Sequence, residues 1–172
     1  MVYVQKARPY IENMLGGKLK AVEGDENEIC QLLDQTCGTD YLQVYTDKGI
    51  VWGVAARTQE IDTARFQRPY NTFTVRKARA SGVKTEYEKR RDAINNGGIY
   101  PYITVQCYFD KQTQELMSLG IARTVDIMDY VDSGLADVMH TGAAQNGQAE
   151  FYVVRWEKFS ARYRLLTRQM IT

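Results

Sequence analysis

Apolar and polar residues alternate with a period of two in several stretches of the chain, which is the spacing of a β-strand with one buried face. This pattern predicts strands over the ranges 41–46, 50–58, 71–77, 99–109 and 151–156. The first two are predicted to form a hairpin, because the Asp-Lys-Gly sequence between them is typical of a turn whose glycine takes a positive φ. The side chains of Arg57 and Gln59 are expected to point the same way at the end of the second strand.

Helical spacing of apolar residues predicts helices between and after these strands. Residues 25–36 combine this spacing with acids in the first turn, where they suit the helix dipole. A capping box formed by Thr85 and Glu88 begins a second helix. Residues 124–132 predict a third helix, and the basic lead-in at 1–22 predicts a further one.

The order of these elements is helix, three strands, helix and strand, with additions at both ends. This order predicts an α+β (α/β) fold, in which helices flank a mixed central sheet. We predict a single domain over 1–172, with a core at about 25–132 and a C-terminal extension at 133–172. The extension begins with 133–149, whose Gly, Ala, Asn and Gln predict a mobile loop.

The composition is that of an ordinary globular protein of 172 residues, of which 44% are hydrophobic and 25% are charged. No run of roughly 18 apolar residues is present, so we expect no membrane span. The N-terminus lacks the apolar core of a signal peptide, and the three cysteines have no metal-ligand spacing. These features predict a cytoplasmic protein with reduced thiols and no zinc site.

Charge is strongly segregated along the chain, although the net charge is only +1. Ten Lys or Arg accompany four Asp or Glu in the range 53–91, whereas the range 23–47 holds seven acids and no base. The basic block predicts a face that holds an anion, above all a phosphate backbone. The alternative is that blocks of opposite sign interleave in the folded protein and cancel.

Three short features add a resemblance to a known family. Glu28 lies on the first predicted helix, Gly38-Thr39-Asp40 precedes the first strand, and the returning strand ends in Ala55-Ala56-Arg57-Thr58-Gln59. With the αβββαβ order, they resemble the restriction-endonuclease-like core of the PD-(D/E)xK nuclease superfamily, and the chain looks like small phage-encoded proteins of this type. The resemblance implies a magnesium-dependent nuclease with Asp40 and Glu28 as metal ligands, and Asp62 or Glu86 as further oxygen donors.

The family's second acid and lysine have no counterpart in this chain. The corresponding pair is Ala55 and Arg57, or Arg57 and Gln59, and neither pair contains an acid. In the family, these side chains serve the metal ion and the attacking water. The alternative is therefore a non-catalytic nucleic-acid-binding or protein-interaction module that uses the same basic face. No glycine-rich phosphate loop supports a small-nucleotide binder.

Two sets of residues follow from these hypotheses. For a metal-dependent DNA nuclease or resolvase, the predicted catalytic residues are Asp40, Arg57, Gln59 and Glu86. The predicted partner is DNA or another nucleic acid, and the predicted backbone-binding residues are Arg76, Arg79, Lys84, Lys89 and Arg90. A homodimer is left open.

Some of these residues also have purely structural interpretations. Asp40 can cap the turn that enters its strand. Glu86 and Arg90 stand one helical turn apart and can pair. Arg76 lies in the middle of a strand pattern, where a buried partner such as Glu86 would explain it. Arg57 and Gln59 can also be ordinary polar residues at a solvated strand end.

Overall fold

A computed structural model describes the protein over residues 2–22, 27–45, 49–62, 70–79, 82–140, 149–158 and 166–167. The helices of this part are Val2–Leu15 (α1), Glu28–Leu32 (α2), Glu86–Asn95 (α3) and Thr124–Asp132 (α4), with a π-helical turn at Leu33–Cys37 and a 3₁₀ turn at Trp156–Lys158. The strands are Leu19–Ala21 (β1), Tyr41–Tyr45 (β2), Ile50–Ile61 (β3), Thr72–Arg79 (β4), Ile103–Asp110 (β5), Leu116–Arg123 (β6), Asp137–His140 (β7), Ala149–Arg155 (β8) and Leu166–Thr167 (β9).

These strands form two sheets. The larger sheet has the order β1-β2-β3-β5-β6-β9, in which β3 and β5 run parallel and the other neighbours run antiparallel. The smaller sheet has the order β4-β8-β7 and is antiparallel. A mixed sheet with helices packed on it confirms the predicted α+β class.

Strand β4 does not join the hairpin of β2 and β3, but pairs with β8 in the smaller sheet. The parallel neighbours β3 and β5 need a crossover connection, and β4 followed by α3 supplies it. The order from α2 to β5 is therefore the predicted αβββαβ order, with its third strand in a separate sheet. The likeness to a restriction-endonuclease-like core stays a prediction.

Both faces of the larger sheet are covered. On one face, α1 packs the fully buried Ala7 and Ile11 against Val105. On the other face, the smaller sheet and α4 enclose a second core that contains Phe73 and Ile127. Every residue of β5 is consequently buried, although its sequence has one semi-polar side.

The semi-polar side of β5 joins the two sheets. The hydroxyl of Thr74 in β4 donates a hydrogen bond to Oε1 of Gln106 at 3.2 Å. The Tyr108 hydroxyl lies 2.8 Å from the hydroxyl of Thr72 and donates to that residue's carbonyl oxygen at 3.0 Å. These bonds satisfy polar groups that the packing of one sheet on the other removes from water.

The C-terminal part contains a strand within the predicted loop. The range 133–149 is predicted as a loop but contains β7. All residues of β7 are exposed, and the strand is held by its antiparallel pairing with β8. Residues 141–148 of this range lie outside the described part of the chain, as do residues 159–165 and 168–172 of the predicted C-terminal extension. Among the described residues, no helix is long and apolar enough to cross a membrane.

Candidate functional site

A recessed pocket of about 260 Å³ opens where the larger sheet, the smaller sheet and α3 meet. Four cationic and two acidic side chains line it, together with small and polar residues. The lining residues are Cys37, Gly38, Asp40, Ala55, Ala56, Arg57, Thr74, Arg76, Glu86, Lys89, Arg90 and Thr104. We call this cavity the cationic pocket, because its charged residues leave an excess of two positive charges.

The backbone explains why charges that are distant in sequence meet here. Strand β3 brings Arg57 to the sheet beside Gln106 of β5, and β4 brings Arg76 over the same region from the smaller sheet. The ladder of β4 is irregular after Arg76. Helix α3 begins beside β4, so its first residue, Glu86, and its fourth, Lys89, reach the pocket.

The start of α3 is held by the predicted capping box, which the structure confirms. The Thr85 hydroxyl accepts a hydrogen bond from the Glu88 amide at 3.3 Å, and the Glu88 carboxylate accepts one from the Thr85 amide at 2.7 Å. These bonds satisfy two amide donors that the first turn of a helix leaves unpaired. The side chain of Glu86 is therefore presented to the pocket from a well-defined helix start.

Glu86 is the centre of the charged network. Its carboxylate lies 2.8 Å from Nη2 of Arg90 and 3.3 Å from Nη1 of Arg57, and it accepts a hydrogen bond from the Arg76 amide at 3.3 Å. Burial raises the pKa of Glu86, but attraction to Arg90, Arg57 and Arg76 and the hydrogen bond from the Arg76 amide together outweigh burial, so the pKa lies below its ordinary value. Glu86 is thus a carboxylate that gathers three arginines around one cavity.

Phe151 of β8 supports two of these arginines from the smaller sheet. The guanidinium carbon of Arg57 lies 4.8 Å from the centre of the buried Phe151 ring, and that of Arg76 lies 5.4 Å from it. Both distances are within the range of cation–π attraction. The ring therefore helps to hold the two guanidinium groups at the pocket.

The predicted backbone-binding residues Lys84, Lys89 and Arg90, on α3 or just before it, lie in three different environments. Arg90, predicted as an outward nucleic-acid contact, is only 4% exposed, and its Nη1 lies 3.4 Å from the Thr104 hydroxyl at the base of the pocket. Lys89 is partly buried at the rim and donates to the carbonyl oxygen of Gln35 at 2.8 Å. Lys84 lies outside the pocket and pairs with Asp92 at 2.6 Å, with both side chains well exposed.

Arg79 is the last residue of β4, and its side chain lies outside the described part of the structure. Glu28 and Gln59 are exposed and do not line the cationic pocket. Of the predicted catalytic residues, the fold brings Asp40, Arg57 and Glu86 together and leaves Gln59 outside. Gln59 lies beyond the pocket because it is two residues further along β3 than Arg57.

The contacts of Asp40 fit its structural interpretation. Its Oδ2 accepts a hydrogen bond from the Ala56 amide at 2.6 Å, and its own amide donates to the Val54 carbonyl oxygen at 3.0 Å. These bonds tie the entrance of β2 to β3, as the capping interpretation requires. The same carboxylate also lines the cationic pocket.

A magnesium site requires several oxygen ligands around one point. Within the described ranges, no group of three or more His, Cys, Asp or Glu side chains is placed to hold a metal ion. Of the two carboxylates in the pocket, Glu86 is already engaged by Arg57 and Arg90. The residues present therefore do not form a Mg²⁺ ligand set, and we derive no metal-assisted step from them.

Sequence reasoning missed several pocket residues. Cys37, Thr74 and Thr104 reach the pocket from three different elements, and Phe151 supports it from a fourth. None belongs to a motif, and contacts between segments that are distant in sequence bring them near Arg57. No signal in the sequence would have identified them.

No family model matches the chain, and no curated protein or solved structure matches it either.

Proposed function

We propose that this protein binds nucleic acid and that the cationic pocket receives a phosphate group of the backbone. The observation that carries the proposal is the convergence of Arg57, Arg76, Lys89 and Arg90 on one recessed cavity with only two acids, Asp40 and Glu86. A concave site lined by one predominant sign of charge concentrates oppositely charged ligands. The basic block found in the sequence therefore does not cancel at this point of the surface.

The individual side chains suit a phosphate. The guanidinium groups of Arg57 and Arg76 offer planar pairs of N–H donors that match two phosphate oxygens, and the Lys89 ammonium adds a point charge at the rim. Ala55 and Ala56 form part of the wall, so no bulky side chain of β3 blocks approach there. Glu86 orients the arginines but does not neutralise them all.

Fluorescence anisotropy with labelled single-stranded DNA, duplex DNA and RNA at about 50 mM salt tests the proposal. We expect Arg76→Gln and Lys89→Gln each to weaken binding roughly tenfold, because each removes a charge-assisted contact. The slope of log affinity against log salt should fall by about 0.7 per lost contact on single strands.

The matched control is Arg155→Gln, because Arg155 is an exposed arginine outside the pocket whose carboxylate neighbour, Asp137, lies 4.0 Å away. This variant should bind as tightly as the unaltered protein. The proposal is wrong if no nucleic acid binds at low salt, or if Arg155→Gln weakens binding as much as Arg76→Gln does. Circular dichroism spectra of all variants check that they fold.

A second candidate function, phosphodiester hydrolysis, is favoured by one observation: the Asp40 carboxylate lines the cavity proposed to hold the phosphate. Branched, single-stranded and duplex DNA should be incubated with the protein and Mg²⁺ or Mn²⁺. Asp40→Asn is the informative variant, because its amide oxygen still accepts the Ala56 hydrogen bond. Cleavage that Asp40→Asn abolishes supports a nuclease, whereas equal rates in both proteins exclude a catalytic role for Asp40.

A further inference from the structure

A second cavity of about 560 Å³ adjoins the cationic pocket, between the π-helical turn and α3. We call it the side groove. The two cavities have Cys37 and Lys89 in common. The residues that line the side groove are Leu32, Leu33, Gln35, Thr36, Cys37, Lys84, Lys89, Asp92, Ala93, Asn96 and Ile99.

The side groove has apolar walls and a polar margin. Leu32 and Ile99 line it with 54% and 63% of their surface exposed, so both apolar side chains are accessible to a ligand that enters the groove. Gln35 and Asn96 add amide groups to the lining. Such a concave site, with apolar walls and a few hydrogen-bonding groups, is typical of pockets that bind small organic groups.

We propose that the side groove receives the base of an unpaired nucleotide whose phosphate lies in the cationic pocket. This inference rests on the proposed function and specifies its ligand as single-stranded nucleic acid or an unpaired segment. Lys89 connects the two cavities, because it lines both, and its ammonium group donates a hydrogen bond to the Gln35 carbonyl oxygen. A nucleotide likewise carries its negative phosphate and its largely apolar base on one sugar.

The geometry favours an unpaired base over a duplex. Bases in a duplex are stacked and paired, so their faces do not reach a recessed groove, whereas bases of single strands are splayed out and available. The groove volume of about 560 Å³ lies within the range of about 300–1,000 Å³ usual for small-ligand pockets. A peptide could also cover aliphatic side chains, but it would not use the phosphate-binding charges next to them.

The test compares two 12-nucleotide single strands of equal charge, one of deoxythymidines and one with abasic sites throughout. Both strands offer the same phosphates, so a difference in affinity measures the contribution of the bases to binding. We expect the thymidine strand to bind roughly 5–10-fold more tightly. The double variant Leu32→Ser, Ile99→Ser should remove most of this difference, because it removes the apolar side chains proposed to contact the base. Both side chains are exposed, so the substitutions leave the core intact.

Leu135→Ser is the matched control, because Leu135 is 66% exposed and does not line the groove. It should keep the preference for bases. Arg76→Gln should weaken both strands by the same factor and so reports on the phosphate site alone. These two variants separate the inference from the function on which it rests.

Equal affinity of the unaltered protein for the two strands would overturn the inference while phosphate binding stood. The same conclusion would follow if the groove double variant kept the full preference for thymidine. Loss of all binding to both strands would overturn the proposed function instead. Because the first comparison uses only the unaltered protein, the inference remains testable even if the double variant does not fold.

Discussion

Replacing Glu86 by glutamine is the sharpest test of how the charged network is built. The substitution keeps the size of the side chain and one oxygen acceptor but removes the negative charge that faces Arg57 and Arg90. Arg90 is only 4% exposed, so it would retain its charge in a site with little water. Breaking a buried ion pair by removing one partner costs about 3–5 kcal/mol.

The expected cost here is smaller. The side chain of Glu86 is 23% exposed and that of Arg57 is 30% exposed, so water and the remaining amide oxygen replace part of the lost attraction. We expect Glu86→Gln to lower the free energy of unfolding by about 2–3 kcal/mol at pH 7. For a chain of this size, the loss corresponds to a fall in Tm of about 4–12 °C.

The dependence on pH gives an independent check with a definite sign. The pKa of Glu86 is lowered from its ordinary value of 4.5 in the folded protein. Its contribution to stability is therefore fully present above that value and is lost as the pH falls through the folded pKa. The difference in unfolding free energy between the unaltered protein and Glu86→Gln should be constant near pH 7 and shrink below about pH 4.

Urea unfolding followed by circular dichroism at several pH values measures both effects, with the exposed Glu60→Gln on the same strand as Arg57 as the control. A loss below about 0.5 kcal/mol, which is typical of surface substitutions, would refute the network. So would a loss that does not change between pH 7 and pH 3.

In the anisotropy assay, Glu86→Gln should bind nucleic acid more tightly at low salt, because the pocket gains one unit of positive charge.

Two further predictions concern the scaffold around the site. Gly120→Ala should lower the free energy of unfolding by about 2 kcal/mol or more, because an added Cβ would lie 2.3 Å from the ring of the fully buried Trp156. Gly98→Ala is the control, because the closest contact of a Cβ there is 3.4 Å. Equal denaturation midpoints for the two variants would contradict the prediction. Thr85→Ala should cost about 1 kcal/mol in urea unfolding, because it removes the capping hydroxyl of α3; Thr85→Ser should restore most of the loss.

Much of the local structure could be predicted because it depends on neighbouring residues. The capping box at Thr85 and Glu88 identified the start of α3, and period-two alternation identified the hairpin of β2 and β3. The pairing of Glu86 with Arg90 followed from one helical turn of separation and is observed. Both side chains of this pair are more buried than they would be on an exposed helix face.

Other features could not be read from local patterns. Strand β7 is exposed along its length, so it lacks the alternation that marks a half-buried strand and depends on its pairing with β8. Arg90 was predicted as a residue that binds a nucleic-acid backbone, yet the packing of α3 buries it and turns it towards Thr104. A run of basic residues in the sequence does not specify which of their side chains are exposed. Their burial depends on which face of the helix packs on the sheet.

Local patterns in the sequence are enough to predict the α+β class, the elements from α2 to β5 and the excess of positive charge between residues 53 and 91. The separation of β4 from the hairpin sheet and its pairing with β8 depend instead on contacts between distant segments. That choice places Arg76 and Phe151 opposite Arg57 and so creates the cationic pocket. The physical reason is that side-chain periodicity specifies which face of a strand is buried, but contacts between distant segments specify what covers that face.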